Sequence, residues 1–183
     1  MEKDNKGITL VELLIAIAIS AIIVGAATFF LMTAHKNYKE ASASIDLQSE
    51  TQILMEQMGT WIMEGNRVNA ESVTVGAVKK DKLVIYQIPR TITATDKASK
   101  RVIWLSSSGK LYMKKFTGIN DPDLDSTDID TNADEVQENC IGEYVTGFVP
   151  SVDGAKVSIS LEMTQSKESY QIQNDFKVRN TLR

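Results

Sequence analysis

The sequence predicts an α+β fold in which one long N-terminal helix, half membrane-spanning and half amphipathic, packs on an antiparallel β-sheet. Three observations carry this. Residues 8–34 form an apolar run whose only ionisable side chain is Glu12. A proline-free stretch continues to about Glu64 with apolar residues recurring every seven positions. From Ala70 the apolar period changes to two, the period of strands. The 183 residues accommodate one domain plus an appendage, and 43% hydrophobic residues suffice for a buried core.

The other polar groups in the apolar run are the small Thr9, Ser20, Thr28 and Thr33. Residues 13–34 are 22 positions, which at ~1.5 Å per residue give roughly 33 Å of helix, about the depth of a bilayer core. A secretory signal peptide does not fit, because the run exceeds the usual ~7–15 apolar residues and the natural cleavage site lies before the run rather than after it. A lipoprotein signal does not fit either, since the lone cysteine is Cys140, far downstream.

Residues Lys6, Gly7, Ile8, Thr9, Leu10, Val11, Glu12, Leu13, Leu14, Ile15 and Ala16 closely resemble the prepilin motif of type IV pilins and pseudopilins. In that family a short polar leader ends in Gly, an apolar residue follows, and a Glu stands fifth in the mature chain. The resemblance covers about the first thirty-five residues. It implies that a membrane-embedded prepilin peptidase cuts between Gly7 and Ile8, that Ile8 becomes the N-methylated first residue, and that Glu12 is the fifth. The family most often has Phe where this chain has Ile8, an apolar replacement. Gly7 has no Cβ and can enter a narrow peptidase cleft in extended form. Lys3 and Lys6 favour a cytoplasmic leader, so the bulk of the chain lies on the other side.

A carboxylate within a span costs on the order of 2.5–3.5 kcal/mol and calls for a partner. Glu12 near the helix start can snorkel to the interface or be protonated. The resemblance implies instead that it neutralises the new amine of a neighbouring subunit in a filament core, where low dielectric strengthens the pair and penalises docking out of register.

Beyond His35 and Lys36 the helix continues to about Glu64, so that residues 8–64 would extend roughly 85 Å. Leu47, Leu54 and Trp61, flanked by Met55, Met58 and Ile62, form an apolar face. Lys39, Glu40, Asp46, Glu50, Glu56 and Glu64 form the polar one. The expected organisation is a leader over 1–7, a transmembrane helix over 8–34, its amphipathic continuation over 35–66, and a β-rich head over 70–183 with an acidic insertion at 120–139.

Strands are predicted over 72–78, 82–88, 101–105, 110–116, 144–149, 155–163 and 170–179. Hairpins are predicted at 106–109 and 164–168. One apolar sheet face would bury on the amphipathic helix. Phe176 to Asn180 and the helical stretch 48–67 also resemble minor pilins of the W type and secretion pseudopilins of the J type. That resemblance implies a minor subunit rather than a major one.

Residues 120–139 hold eight carboxylates and no Lys or Arg, and removing them turns the net charge of −4 into +4. Asp121, Asp123, Asp125 and Asp128 alternate as calcium ligands can, yet the central Gly and terminal Glu of an EF-hand loop are missing. A solvated surface insertion accounts for the same run. Nucleic-acid binding is not signalled, since no cluster of Lys and Arg with aromatics stands out along the chain. One His and one Cys, without a nucleophile motif or phosphate loop, predict that the chain is not an enzyme and carries no resident cofactor. The partners implied by the resemblance are other pilins or pseudopilins, the prepilin peptidase, an inner-membrane assembly platform, and membrane lipid before assembly. A competence pseudopilin for DNA uptake and a single-pass β-rich binding protein are the alternatives.

Overall fold

The structure is a computed structural model that describes residues 9–75, 78–90, 97–119 and 134–179. The chain divides into two compact units, Met1–Ser42 and Ala43–Arg183. One helix, α1 (Leu10–Glu64, 55 residues), begins in the first and ends in the second.

Over residues 13–34 the helix carries no charged side chain and is exposed on all sides. Its few hydroxyls turn inward on their own backbone. Ser20 Oγ donates to the Ala16 carbonyl (2.8 Å), Thr28 Oγ1 to Val24 (2.8 Å) and Thr33 Oγ1 to Phe29 (3.0 Å). A hydroxyl satisfied this way can enter hydrocarbon without an orphaned donor.

In the second unit α1 buries Leu47, Thr51, Leu54, Met55, Met58, Gly59 and Ile62, the face its heptad spacing predicts, while Trp61 is half-buried. Thr51 is tolerated in this apolar face because its hydroxyl donates to the Leu47 carbonyl at 2.6 Å and lies 3.0 Å from Met163 Sδ. The helix ends at Gly65, whose N–H donates to the Trp61 carbonyl (3.0 Å). A Cβ at Gly65 would come within 2.7 Å of Ile85. The last turn has no basic residue of its own, and β3 supplies one: the Arg101 guanidinium pairs with Glu64 at 3.3 Å and lies 5.9 Å from the Trp61 ring. A cation there complements the negative end of the helix.

Among the described residues there are eight strands in two antiparallel sheets. The first sheet has the order β1 (Arg67–Val75), β2 (Val78–Gln87), β3 (Ala98–Leu105), β4 (Leu111–Ile119), β5 (Cys140–Gly142). The second has the order β6 (Val145–Asp153), β7 (Lys156–Gln165), β8 (Glu168–Lys177). The expected α+β class and both expected hairpins are present, but the single expected sheet is two. β1 starts at Arg67, where Asn66 acts as a side-chain extension of the strand: its Oδ1 accepts from the Ile88 N–H (3.0 Å) and its Nδ2 donates to the Ile88 carbonyl (2.5 Å). β6 and β7 close at the pair Asp153 and Lys156 around Gly154, which has φ +60°. β7 and β8 close at Gln165 and Glu168 around Ser166, with φ 59°. Two-residue hairpins require such left-handed backbone, which costs Ser166 more than Gly154.

Both sheets meet the helix in one core. Leu83, Ile85, Ile103 and Leu111 of the first sheet join Val145, Phe148, Val157, Ile159, Leu161 and Met163 of the second around Leu47, Leu54, Met55, Met58 and Ile62. The first sheet also has a second apolar face, which corrects the expectation of one. Val84, Tyr86, Val102, Trp104 and Tyr112 form a separate buried cluster, with the Trp104 and Tyr112 rings stacked 5.7 Å apart. Two-sided burial explains why β2 and β3 read as unbroken apolar runs at residues 83–86 and 102–105 rather than as clean alternation.

The end of the acidic stretch departs from the expectation of a solvated insertion. Asp134 is buried and pairs with Lys114 of β4, while Glu135 Oε2 accepts from Ser106 Oγ at 2.6 Å. The 3-10 turn Gln137–Asn139 then leads into β5, which places the half-buried Cys140 against the second cluster. A charge run read by composition hides these two carboxylates, because only the register of β3 and β4 brings Ser106 and Lys114 to them.

Gly59 tests the packing of β8 on the helix. A Cβ at that position would sit 2.4 Å from the Phe176 ring. Gly59→Ala favours the helix by about 1 kcal/mol through propensity, whereas overpacking costs about 1–3 kcal/mol. Net destabilisation is the expected outcome, read as a lowered thermal midpoint in detergent.

Candidate functional site

Gly7 and Ile8, the predicted cleavage and methylation positions, lie outside the described residues, as do the calcium candidates Asp121, Asp123, Asp125 and Asp128. The site that can be built begins at Thr9. Its hydroxyl accepts the Glu12 N–H at 3.2 Å. Glu12 reaches back so that Oε2 accepts both the Thr9 N–H (3.0 Å) and the Thr9 Oγ1–H (3.0 Å). This is a capping box: the N-cap hydroxyl satisfies the N–H three residues on, and the acid there satisfies the N-cap N–H. The carboxylate also lies in the first helical turn, where the helix dipole favours negative charge.

The sequence left Glu12 to the membrane interface, to protonation or to a neighbour's amine, and the pairing with Thr9 was not among the expectations. The signal was present as a Thr followed three residues later by a Glu at the edge of an apolar run. In the structure Glu12 is not an isolated carboxylate in an apolar helix. It has two donors from its own chain, and both converge on one oxygen.

Around and beyond this cap α1 exposes Leu10, Leu14, Ile17, Ile22, Ile23, Phe29, Phe30 and Met32 by more than 60%. Apolar surface on this scale calls for lipid or for other helices. By length and composition α1 can cross a membrane. The amphipathic part holds a second surprise, because Tyr38, Ile45 and Ile53 are all more than half exposed. They stand out of step with Leu47, Leu54 and Trp61. Apolar residues outside the buried face are the signal that would have found them.

Two further polar clusters lie on the head. Lys156 Nζ and Ser158 Oγ both bind Asp175, at 2.9 and 2.7 Å. The Ser158 hydroxyl first, and then Lys156, hold the Asp175 carboxyl below its usual range. The cluster lies on the solvent-exposed side of β7 and β8, where water competes for each of these contacts. Lys110 is likewise committed to Glu143 at 2.6 Å, and that contact raises its ammonium above the ordinary lysine value. Among the described residues no group of three His, Cys, Asp or Glu side chains is placed to hold a metal ion.

The long N-terminal helix and the antiparallel sheets make an α+β, pilin-like arrangement, and the apolar part of the helix fits a membrane anchor. Residues 3–28 match the family model described as the prokaryotic N-terminal methylation motif. The match takes in the cap and the first part of the exposed helix, and it is consistent with a type IV pilin or pseudopilin precursor. The motif implies processing by prepilin peptidase and assembly with other pilins. Neither a curated protein nor a solved structure gives a match to the chain.

Membrane anchoring through α1 has a direct test. The full chain is expected in the membrane fraction and should resist extraction at alkaline pH, while a chain starting at Ala43 should be recovered without detergent. Release of the full chain by alkali would contradict the anchor.

Proposed function

We propose that this chain is a non-catalytic minor subunit of a type IV pilus or related pseudopilus. Prepilin peptidase cuts between Gly7 and Ile8 and the new amine at Ile8 is methylated. The subunit waits in the membrane with its N-terminus on the cytoplasmic side. The assembly platform then moves it into a filament outside that membrane, with other pilins or pseudopilins as neighbours. The observation that carries this reading is the coincidence of the methylation motif at residues 3–28 with a helix whose apolar side chains are exposed.

The chemistry of assembly follows from that helix. Side chains such as Leu14, Ile22 and Phe29 exchange lipid for neighbouring helices, a step with little hydrophobic gain because both surroundings are apolar. Specificity must then come from polar groups. Glu12 is the ionisable side chain in the span, and it neutralises the amine of Ile8 on the adjacent subunit, which fixes the axial step between subunits. Farther along, Tyr38, Ile45 and Ile53 extend the contact beyond the bilayer. The likeness of residues 48–67 and of Phe176 to Asn180 to W-type minor pilins and J-type pseudopilins supports a minor role.

The test is Glu12→Ala. The variant is expected to be processed like the wild type, read as the mobility shift of the mature chain. Its recovery in sheared filaments should fall at least about tenfold, equivalent to about 1.4 kcal/mol or more. Incorporation at the wild-type level would contradict the pairing and leave a single-pass anchor with a β-rich head.

A further inference from the structure

We infer that Thr9 is a positioning residue for assembly, holding the Glu12 carboxylate so that one of its oxygens is free for the neighbouring subunit. The inference rests on the assembly role proposed for Glu12, and it assigns a task to a residue that role does not involve.

The geometry separates the two carboxylate oxygens. Oε2 accepts the Thr9 N–H and the Thr9 hydroxyl, each at 3.0 Å. No hydrogen bond to Oε1 is seen from the described residues, so its lone pairs can accept an amine while the cap stays closed. The Thr9 hydroxyl is fixed in turn, because it accepts the Glu12 N–H at 3.2 Å and its own proton must then point at Oε2. A side chain with several rotatable bonds is thereby held in one arrangement before any neighbour arrives. Ordering lost in advance is not lost again on binding, which is how a preorganised group gains affinity without a new contact.

The same cap acts while the subunit is stored in lipid. A carboxylate in an apolar helix has to find donors, and a Glu12 without Thr9 would take them from headgroups or water. Docking would then have to strip those donors away. With the cap closed the carboxylate carries its two donors with it, so the bound and stored states differ by the incoming amine alone.

Hydroxyl chemistry and side-chain shape can be separated at this position. Thr9→Val keeps the shape and removes the hydroxyl, and Thr9→Ser keeps the hydroxyl and removes the methyl. Thr9→Val is expected to be processed normally and to enter filaments about tenfold less, the scale of one lost cap. Thr9→Ser should enter within about twofold of the wild type, since Ser caps as well as Thr. In the combined variant Thr9→Val with Glu12→Ala, the loss should equal that of Glu12→Ala alone, because Thr9 acts only through the carboxylate.

Three results would overturn the inference. Wild-type incorporation of Thr9→Val beside a defective Glu12→Ala would leave the Glu12 role standing and remove Thr9 from it. A combined loss equal to the product of the separate losses would mean that Thr9 acts independently. Failure of Thr9→Val to be cut would make it a determinant of peptidase recognition instead. Normal assembly of Glu12→Ala is a different failure, because it removes the assembly role itself.

Discussion

Burial of one face of α1 is the constraint on which both sheets depend. Leu47, Leu54, Met55, Met58 and Ile62 are all at most 2% exposed, and residues from both sheets meet them in a single cluster. Each such side chain contributes roughly 1.5–3 kcal/mol of transfer free energy, an upper estimate because unfolded chains already bury some surface. The two sheets have no shared ladder among the described residues, so the helix face is the surface they hold in common. Close approaches follow from this. Gly142 brings β5 against Leu54, Gly65 lets Ile85 pack where the helix ends, and Gly59 admits the Phe176 ring. A side chain at any of the three would push a strand off the helix.

The N-terminal part of the same helix obeys a different solvent. Its apolar side chains are exposed, and the hydroxyls of Ser20, Thr28 and Thr33 are spent on carbonyls one turn back. One ionisable group remains. The capping box gives Glu12 a structural task at the helix start and still leaves an oxygen for a second one. A structural role and the proposed assembly role are therefore compatible at Glu12.

Much of this was legible in the sequence, and the failures have physical causes. The helix, its buried face and the hairpins at 106–109 and 164–168 could be read because period and turn residues are local signals. The division into two sheets could not. β5 has three residues, too few to show a period, and which strands pair across the break at residues 143–144 is a question of long-range contacts. Runs such as Leu83 to Tyr86 did carry a sign of two-sided burial. Asp134 and Glu135 were hidden by averaging over their acidic neighbours, although in the fold they sit against Lys114 and Ser106. At the helix start a lone carboxylate in an apolar run is conspicuous, whereas Thr9 is one of several small hydroxyl residues there and only the cap geometry singles it out.

The central claim is that the helix start is a processed end from which a filament subunit is built. Its most direct measurement is the mass of the N-terminal peptide of the chain recovered from cells containing a prepilin peptidase. Under the proposed function the peptide begins at Ile8 and carries a methyl group on its amine. A chain that keeps residues 1–7 under those conditions, or one cut at any other bond, would contradict it.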